Sequence, residues 1–434
     1  MARNIANVLL SGLWAERAML LRLQTALGKA TAKSQRALIA EVLKANPASY
    51  PPPAAELVRT IFSAPSFEKA AASALLSKAP LHMALRPPKF APTADLSDCD
   101  VPALPTSGDV ARWLGLPLEH LDWFTDERRQ HGRTAIPDLQ HYVYAFRAKP
   151  HGPPRLIEAP KPRLKTMQKR ILHGILDSVP VHEAAHGFVK GRSCKSGAEQ
   201  HAEAAIVICF DIADFFLTSP LGRVHALFRG LGYPHAAARV LTRLCSTSTP
   251  ETVFDRISSP RKHTRAALQA YCEPHLPQGA PTSPALANLV ARRLDIRLTG
   301  LALSLGGRYS RYADDLTFSG DAAFAKKTNS LMAAVAGIVE DEGYALNERK
   351  TRVMTSSRRQ QITGIVVNAR TNAPRDAYDQ LKATLHNCRK TGLAAENRDG
   401  HADFRAHLAG RIGWVASLNP ARGDRLRAML TEIA

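Results

Sequence analysis

The stretch RYSRYADDLTFSG at residues 308–320 places two adjacent aspartates, Asp314 and Asp315, inside a run that otherwise favours β-structure. Strands normally exclude aspartate, so two carboxylates at this point indicate either a turn or a bound cation. A tight hairpin with the aspartates at its tip is one interpretation, and a metal site is the other. A third carboxylate in a similar setting would favour the metal site.

A third carboxylate follows the apolar run AIVICF (205–210), which is predicted to be a strand and ends at Asp211. Three carboxylates that converge on one point repel one another unless cations neutralise them. Oxygen ligands select Mg²⁺ or Mn²⁺, and two such ions roughly 4 Å apart suit nucleotidyl transfer. Taken alone, Asp211 is explained equally well by a turn at the end of the strand.

The charge of the chain predicts a polyanionic partner. Its 434 residues carry 58 Lys and Arg against 38 Asp and Glu, a formal net charge of +20. Nucleic acid is the leading partner and a membrane surface the second. Residues 147–170 hold eight Lys or Arg and one Glu, which suits triphosphate and backbone contacts, although a solvated charged face is the alternative.

We expect a cytoplasmic protein without a membrane span. No run of about 18 apolar residues is free of charge. The six cysteines are scattered and include no CxxC pair, which is typical of reduced thiols rather than a disulfide framework or a zinc site.

Short strands and helices without regular βαβ alternation predict an α+β core. Residues 1–85 are predicted to form a helical N-terminal extension, and residues 86–107 a Pro-rich linker. QITGIVVN (361–368) is predicted to be one strand, and PALANLVARRLDIRL (284–298) one helix.

LPQGAPTSPALANLV (276–290) is a loop with Pro and Gly that opens a helix. Such a loop lets the backbone approach a ligand closely, so Gln278 and Gly279 are candidates to face a nucleotide or template base. The alternative is a plain turn in which Ser283 or Thr282 caps the helix.

Five motifs follow one another over roughly 140–370. They are the basic stretch at 147–170, the strand that ends at Asp211, LPQGAPTSPALANLV, Tyr312-Ala313-Asp314-Asp315 and LNERKTRV. Their order resembles that of the reverse transcriptases. AAHGFVKGRS (184–193) and LPQGAPTSP are similar to the bacterial retron enzymes. The resemblance implies a right-hand polymerase fold, with fingers and palm at 108–355 and a thumb at 356–434. Some retron enzymes look similar in carrying an N-terminal extension.

The resemblance also implies roles for individual residues. Asp211, Asp314 and Asp315 would hold two Mg²⁺ ions, with Mn²⁺ as the alternative, helped by the carbonyl of Ile212.

The residues implied to contact the dNTP are Lys149 and Arg155 in the fingers, the backbone N–H of Asp214, Phe216 as a steric gate, Gln278, Gly279, and Lys350 as a general acid. Tyr312 and Ala313 would lie near the primer end. For Lys350, a solvated lysine at a strand edge is the alternative.

Two further segments resemble elements by which retron enzymes recognise RNA. Gly197-Ala198-Glu199-Gln200-His201 stands where retrons carry Asn-Ala-x-x-His, and Ile362-Thr363-Gly364 where they carry Val-Thr-Gly. The resemblance therefore implies RNA contacts by His201 and by residues 362–364. The segment 410–430 resembles the thumb, which binds the structured RNA.

A retron enzyme is an RNA-directed DNA polymerase that turns its own structured msr–msd RNA and dNTPs into 2′–5′ branched msDNA. Family members act in antiphage defence with an effector. Residues 1–85 would contact the RNA, the msDNA or the effector. The alternative is an extension that only packs against the rest of the protein. The alternatives are a group II intron-like or diversity-generating reverse transcriptase, and a non-catalytic RNA-binding scaffold. No maturase- or HNH-like Cys/His cluster follows the thumb region, and the three aspartates argue against the scaffold.

Overall fold

The structure is a computed structural model that describes residues 1–11, 14–27, 32–47, 51–76, 88–126, 139–149, 153–256 and 264–433. The chain divides into two compact units. The first unit comprises residues 1–180 and 216–290, and the second unit residues 181–215 and 291–434. Residues 77–87, which contain the predicted boundary between extension and linker, lie outside the described residues. The predicted domain boundaries stay a prediction.

The structure is α+β. Its helices are α1 Ala2–Leu10, α2 Glu16–Leu27, α3 Ala32–Ala45, α4 Ala54–Phe62, α5 Pro65–Leu76, α6 Ser107–Leu114, α7 Leu118–Thr125, α8 Pro162–Gly174, α9 Cys194–Glu199, α10 Phe215–Thr218, α11 Leu221–Gly230, α12 His235–Leu244, α13 Arg265–Cys272, α14 Ser283–Val290, α15 Arg292–Leu305, α16 Ala322–Ala325, α17 Thr328–Asp341, α18 Arg375–Thr391, α19 Leu393–Glu396, α20 Phe404–Leu418 and α21 Pro420–Thr431. Its strands are β1 Tyr142–Arg147, β2 Arg155–Pro160, β3 Ile206–Asp211, β4 Gly307–Tyr312, β5 Asp315–Gly320, β6 Arg352–Thr355, β7 Gln361–Ile362 and β8 Ile365–Val366.

In the first unit, helices α1 to α5 pack around an apolar core of their own. Its fully buried members include Leu9, Leu23 and Ile39, one from each of the first three helices. Arg22 donates to the carbonyl oxygens of Val8 and Leu9 at 3.1 and 2.7 Å, so it satisfies the free carbonyls at the end of α1. The extension is thus a small helical bundle with its own hydrophobic stabilisation.

The remainder of the first unit carries the hairpin of β1 and β2, which pair in antiparallel register. Leu156 on β2 packs with Val253, Phe254 and Tyr271 in a second apolar cluster. This packing fixes the hairpin against the segment that leads into the 276–290 loop.

The second unit is built on a four-stranded antiparallel sheet in the order β4-β5-β3-β6. Strand β3 is buried along its whole length, which explains its uninterrupted apolar sequence up to Asp211. A large cluster of buried apolar residues joins this sheet to helices α18, α20 and α21.

Two sequence predictions need correction. QITGIVVN is not one strand but a hairpin of β7 and β8, because Thr363 and Gly364 both have positive φ and turn the chain back. Residues 284–298 form two helices, α14 and α15, separated at Ala291. Among the described residues, no helix is long and apolar enough to cross a membrane.

Candidate active site

Asp211 and Asp315 face each other across the two central strands of the sheet in the second unit. They are Cα partners in the β3–β5 register, at the last residue of β3 and the first of β5. Directly opposed residues of antiparallel strands share a face, with Cβ atoms about 5 Å apart. Two carboxylates from separate motifs therefore lie together at one end of the sheet.

Asp314 lies in the turn between β4 and β5. Ala313, just before it, has φ +56°, a conformation that residues with a side chain adopt at a cost. The carbonyl oxygen of Asp314 accepts a hydrogen bond from the N–H of Ile212 at 2.9 Å. The turn with Asp314 is therefore tied to the end of β3, and all three predicted aspartates belong to one site.

The charges at this site are closely coupled. Burial, together with the negative charges of Asp314 and Asp211, raises the pKa of Asp315 to about 6. The ammonium of Lys350 donates to Oδ2 of Asp211 at 2.7 Å. The structure thus places the predicted general acid directly on one of the carboxylates, while more than half of its side chain stays exposed.

The donor chemistry of the site fits a divalent metal ion. Carboxylate oxygens are the ligands that Mg²⁺ and Mn²⁺ prefer. Burial is the main cause of the raised pKa of Asp315, and the negative charges of Asp314 and Asp211 add to it. Lys350 offsets part of that charge at Asp211. In the described part of the chain, no three Asp, Glu, His or Cys side chains stand close enough together to hold a metal ion as they lie. The fit to an ion therefore rests on the donor types and on the charge that Asp314 and Asp211 exert on Asp315.

The chain beyond β3 has the unusual backbone expected of a loop that meets a ligand. Asp214 is exposed and has φ +47°. The N–H of Ala213 donates to the carbonyl oxygen of Ala345 at 2.8 Å, which fixes the loop within the second unit. Phe216, the predicted steric gate, begins the second segment of the first unit and is half-buried.

The predicted phosphate-binding residues of the first unit lie at one end of the β1–β2 hairpin. Arg155 is exposed and is the Cα partner of Arg147, and Lys149 follows two residues after β1 ends. Three basic residues are therefore gathered where the two strands meet their connecting loop. Residues 150–152 of that loop lie outside the described residues.

Gln278 and Gly279 are held against β2 of the same unit. The N–H of Glu158 donates to the carbonyl oxygen of Gln278 at 2.8 Å. Gly279 has φ +137°, and a Cβ there would lie 2.9 Å from the carbonyl oxygen of Glu158. Ser283 donates to the carbonyl oxygen of Pro277 at 2.7 Å, so it ties the loop to the start of α14 rather than capping the helix by accepting a hydrogen bond.

Sequence reasoning missed a buried carboxylate that supports this loop. Glu158 has no exposed surface; its carboxylate accepts from the Thr249 hydroxyl and pairs with Nε2 of His275 at 2.9 Å. Burial alone would lower the pKa of His275, but the Glu158 carboxylate outweighs it and raises that pKa. The signal was present in the sequence, since Glu158 is the one acid in a strongly basic stretch, between apolar neighbours.

The predicted RNA contact by His201 is wrong for the side chain in this structure. The ring has no exposed surface, and its two nitrogens lie 2.7 Å from the hydroxyls of Ser319 and Ser310. Burial lowers the pKa of His201 to about 3, so the ring is neutral. His201 is a core residue that joins β4 to β5.

The hairpin at residues 361–366 presents only part of the predicted RNA-contacting triplet. Ile362 is 3% exposed and belongs to the core of the second unit, so its side chain is also unavailable to RNA. Gly364 is exposed at the tip of the hairpin, and Thr363 is half-buried with φ +45°. A β-branched residue in this conformation is strained.

A groove of about 470 Å³ runs between α18 and α20 in the second unit. Its lining includes the small residues Ala377 and Gly410 together with Trp414, Arg411 and His407. Trp414 is 42% exposed. An exposed aromatic ring beside an arginine suits a stacked, unpaired base.

Comparison with known proteins gives one consistent family. A family model described as "Reverse transcriptase (RNA-dependent DNA polymerase)" matches residues 147–367. The chain is 37% identical over 333 residues to the retron Mx65 reverse transcriptase of Myxococcus xanthus, covering 77% of this chain and 73% of that protein. It is 37% identical over 338 residues to the retron Mx162 reverse transcriptase of the same organism, covering 75% of this chain and 66% of that protein. It is 31% identical over 300 residues to the retron Ec86 reverse transcriptase of Escherichia coli, covering 68% of this chain and 82% of that protein.

Proposed function

The chain belongs to the bacterial retron reverse transcriptases, which are RNA-directed DNA polymerases with the right-hand fold. On that premise, we propose that it copies the structured non-coding RNA of its own locus into branched msDNA. The priming group in this proposal is a guanosine 2′-hydroxyl of that RNA. The observation that carries the proposal is the opposed pair Asp211 and Asp315, with Asp314 tied to the same strand end.

In the proposed mechanism, Asp211, Asp314 and Asp315 would hold two Mg²⁺ ions, or Mn²⁺ as a substitute, and the Ile212 carbonyl would help them. Bound ions would activate the priming hydroxyl and neutralise the charge of the leaving pyrophosphate. Lys350, whose ammonium donates to Asp211, would donate a proton to the leaving pyrophosphate. The exposure of its side chain supports this role.

The remaining substrate contacts are those that the family resemblance implies, and the exposure of Arg155 and the backbone of Asp214 support two of them. Arg155 and Lys149 bind the triphosphate, and the N–H of Asp214 donates to it from the strained loop after β3. Phe216 excludes a 2′-hydroxyl from the incoming sugar. Gln278 and Gly279 contact the nascent base pair from the loop that Glu158 supports.

The C-terminal helices of the second unit bind the folded RNA in this proposal. The groove with Trp414 and Arg411 supports it, because it offers a stacking face and a fixed positive charge. Thr363 and Gly364 contribute from the strained hairpin tip. The proposal includes a role in antiphage defence with an effector protein, and the helical bundle of α1 to α5 would contact the RNA, the msDNA or that effector.

The proposal is tested by expressing the protein with several hundred base pairs of its native upstream DNA and extracting small nucleic acids. We expect a discrete DNA that changes mobility after RNase and 2′–5′ debranching enzyme, and that disappears in an Asp314→Ala, Asp315→Ala variant. Unbranched DNA that depends on the aspartates would indicate another reverse transcriptase class, with different priming. No DNA, with the upstream RNA present, would support the scaffold.

A further inference from the structure

Residues 182–193 of the second unit form a loop that is fixed by many hydrogen bonds. Nη1 of Arg192 donates to the carbonyl oxygens of His182, Glu183 and Ala185, at 2.8, 2.9 and 2.7 Å. The ring of His186 lies 2.8 Å from the Ser196 hydroxyl. The backbone of this loop is therefore held in a defined position.

The same loop contacts the turn that carries the catalytic aspartates. The N–H of Arg311 donates to Ala184 and the N–H of His186 donates to Arg311, each at 2.7 Å. A Cβ on Gly187 would lie 2.6 Å from the backbone nitrogen of Ala313, closer than any side chain allows. The loop and the turn thus form one rigid assembly.

Phe188 follows Gly187 and is unusual in two ways. Its φ is +58°, a strained value for a residue with a large side chain. Its side chain is 54% exposed, so burial recovers little of that strain. Strain of this kind is concentrated at functional sites. Its ring centroid lies 6.4 Å from that of Tyr312, the Cα partner of Asp315.

We propose that Phe188 and Tyr312 form a stacking platform for the base of the nucleotide whose hydroxyl is extended. Aromatic rings beside basic side chains bind unpaired nucleotides through base stacking and phosphate contacts. Lys190, two residues after Phe188, is exposed and supplies the positive charge for the adjoining phosphate. This platform rests on the proposed polymerase function and adds to it a site that holds the priming nucleotide in place through its base.

The test compares Phe188→Leu, which keeps an apolar side chain without a ring, with Phe188→Tyr, which keeps the ring. Stacking on one aromatic ring is worth roughly tenfold to a hundredfold in affinity. We expect Phe188→Leu to lower the rate of first-nucleotide addition at limiting primed RNA template by that factor. Phe188→Tyr should keep the wild-type rate. The thermal unfolding midpoints of both variants should equal that of the wild type. Leu303→Ala, at a leucine that is 70% exposed in α15, is the control and should leave the rate unchanged.

A second measurement does not depend on catalysis. A primer with 2-aminopurine at its terminal position should lose fluorescence on binding the wild type and Phe188→Tyr, but not Phe188→Leu. Equal rates and equal quenching for Phe188→Leu and wild type would overturn the platform while leaving the polymerase intact. A wild-type protein that adds no nucleotide would overturn the proposed function and the platform with it.

Discussion

The guanidinium of Arg311 donates to both carboxylate oxygens of Asp295, from Nε at 2.8 Å and from Nη2 at 2.6 Å, and neither side chain has any exposed surface. Nη1 of Arg311 also donates to the carbonyl oxygen of Ala313 at 3.1 Å. One buried ion pair therefore holds the turn that presents Asp314. Because the fork of an arginine is rigid, the pair sets the position of that turn.

We expect Arg311→Lys to lower the turnover rate by about ten- to a hundredfold, because lysine cannot bind the Asp295 carboxylate and the Ala313 carbonyl in the same geometry. The Michaelis constant for dNTP should change less than the turnover rate. Steady-state incorporation on primed RNA measures both. Arg389→Lys, in a surface pair with Glu432, is the control. Full turnover by the Arg311→Lys enzyme would show that the pair only stabilises the core.

Asp315 should destabilise the metal-free protein at neutral pH. Because its pKa is raised to about 6, ionisation above that pH favours the unfolded chain, and the lost stability returns as pH falls towards 4. Asp315→Asn should therefore raise the free energy of unfolding in EDTA at pH 7.5, by on the order of 1–3 kcal/mol.

At pH 4 the Asp315→Asn substitution should raise the free energy of unfolding only slightly. Denaturant unfolding at the two pH values checks this, and added Mg²⁺ should stabilise the wild type more than the variant. An equal effect of the substitution at both pH values would contradict the assigned pKa.

His201 should make the second unit sensitive to acid. Its folded-state pKa of about 3 lies below that of an unfolded histidine, so stability is lost as pH falls below about 6.5. His201→Ala should cost about 2–4 kcal/mol near pH 7, since it leaves a cavity and unpaired serine hydroxyls. The stability difference from wild type should shrink by pH 5. His386→Ala, at an exposed position of α18, is the control. A constant difference from pH 7 to pH 5 for His201→Ala would argue against a neutral, buried ring.

The glycine of the 276–282 loop offers a test of the loop geometry. Gly279→Ala should reduce nucleotide incorporation strongly, because its Cβ would meet the Glu158 carbonyl and displace Gln278. Gly337→Ala in α17 has open space at its Cβ and should be neutral or stabilising by up to about 1 kcal/mol. Incorporation rates and unfolding midpoints of the two variants give the comparison. Normal activity of Gly279→Ala would exclude close packing of the loop on β2.

Asp211 could be predicted from the sequence because it ends an apolar run, and Asp314 and Asp315 because they interrupt a run that favours β-structure. The pairing of β3 with β5 then brings Asp211 and Asp315 together. His201 could not be assigned in this way, since its burial depends on serines more than a hundred residues later. The partnership of Glu158 with His275 is equally distant in sequence. The positive φ of Phe188 leaves no trace in residue type, because phenylalanine gives no signal for a left-handed backbone.

The most direct measurement is first-nucleotide addition by purified protein on a primed RNA template with Mg²⁺, for Asp211→Asn, Asp314→Asn and Asp315→Asn. Asp376→Asn, in an exposed surface pair with Arg359, is the matched control. The account predicts that each of the three variants loses at least about a thousandfold in rate, because each removes several kcal/mol of transition-state stabilisation, while the control keeps the wild-type rate. Polymerisation by any of the three within about tenfold of the wild type would contradict a catalytic site built on Asp211, Asp314 and Asp315.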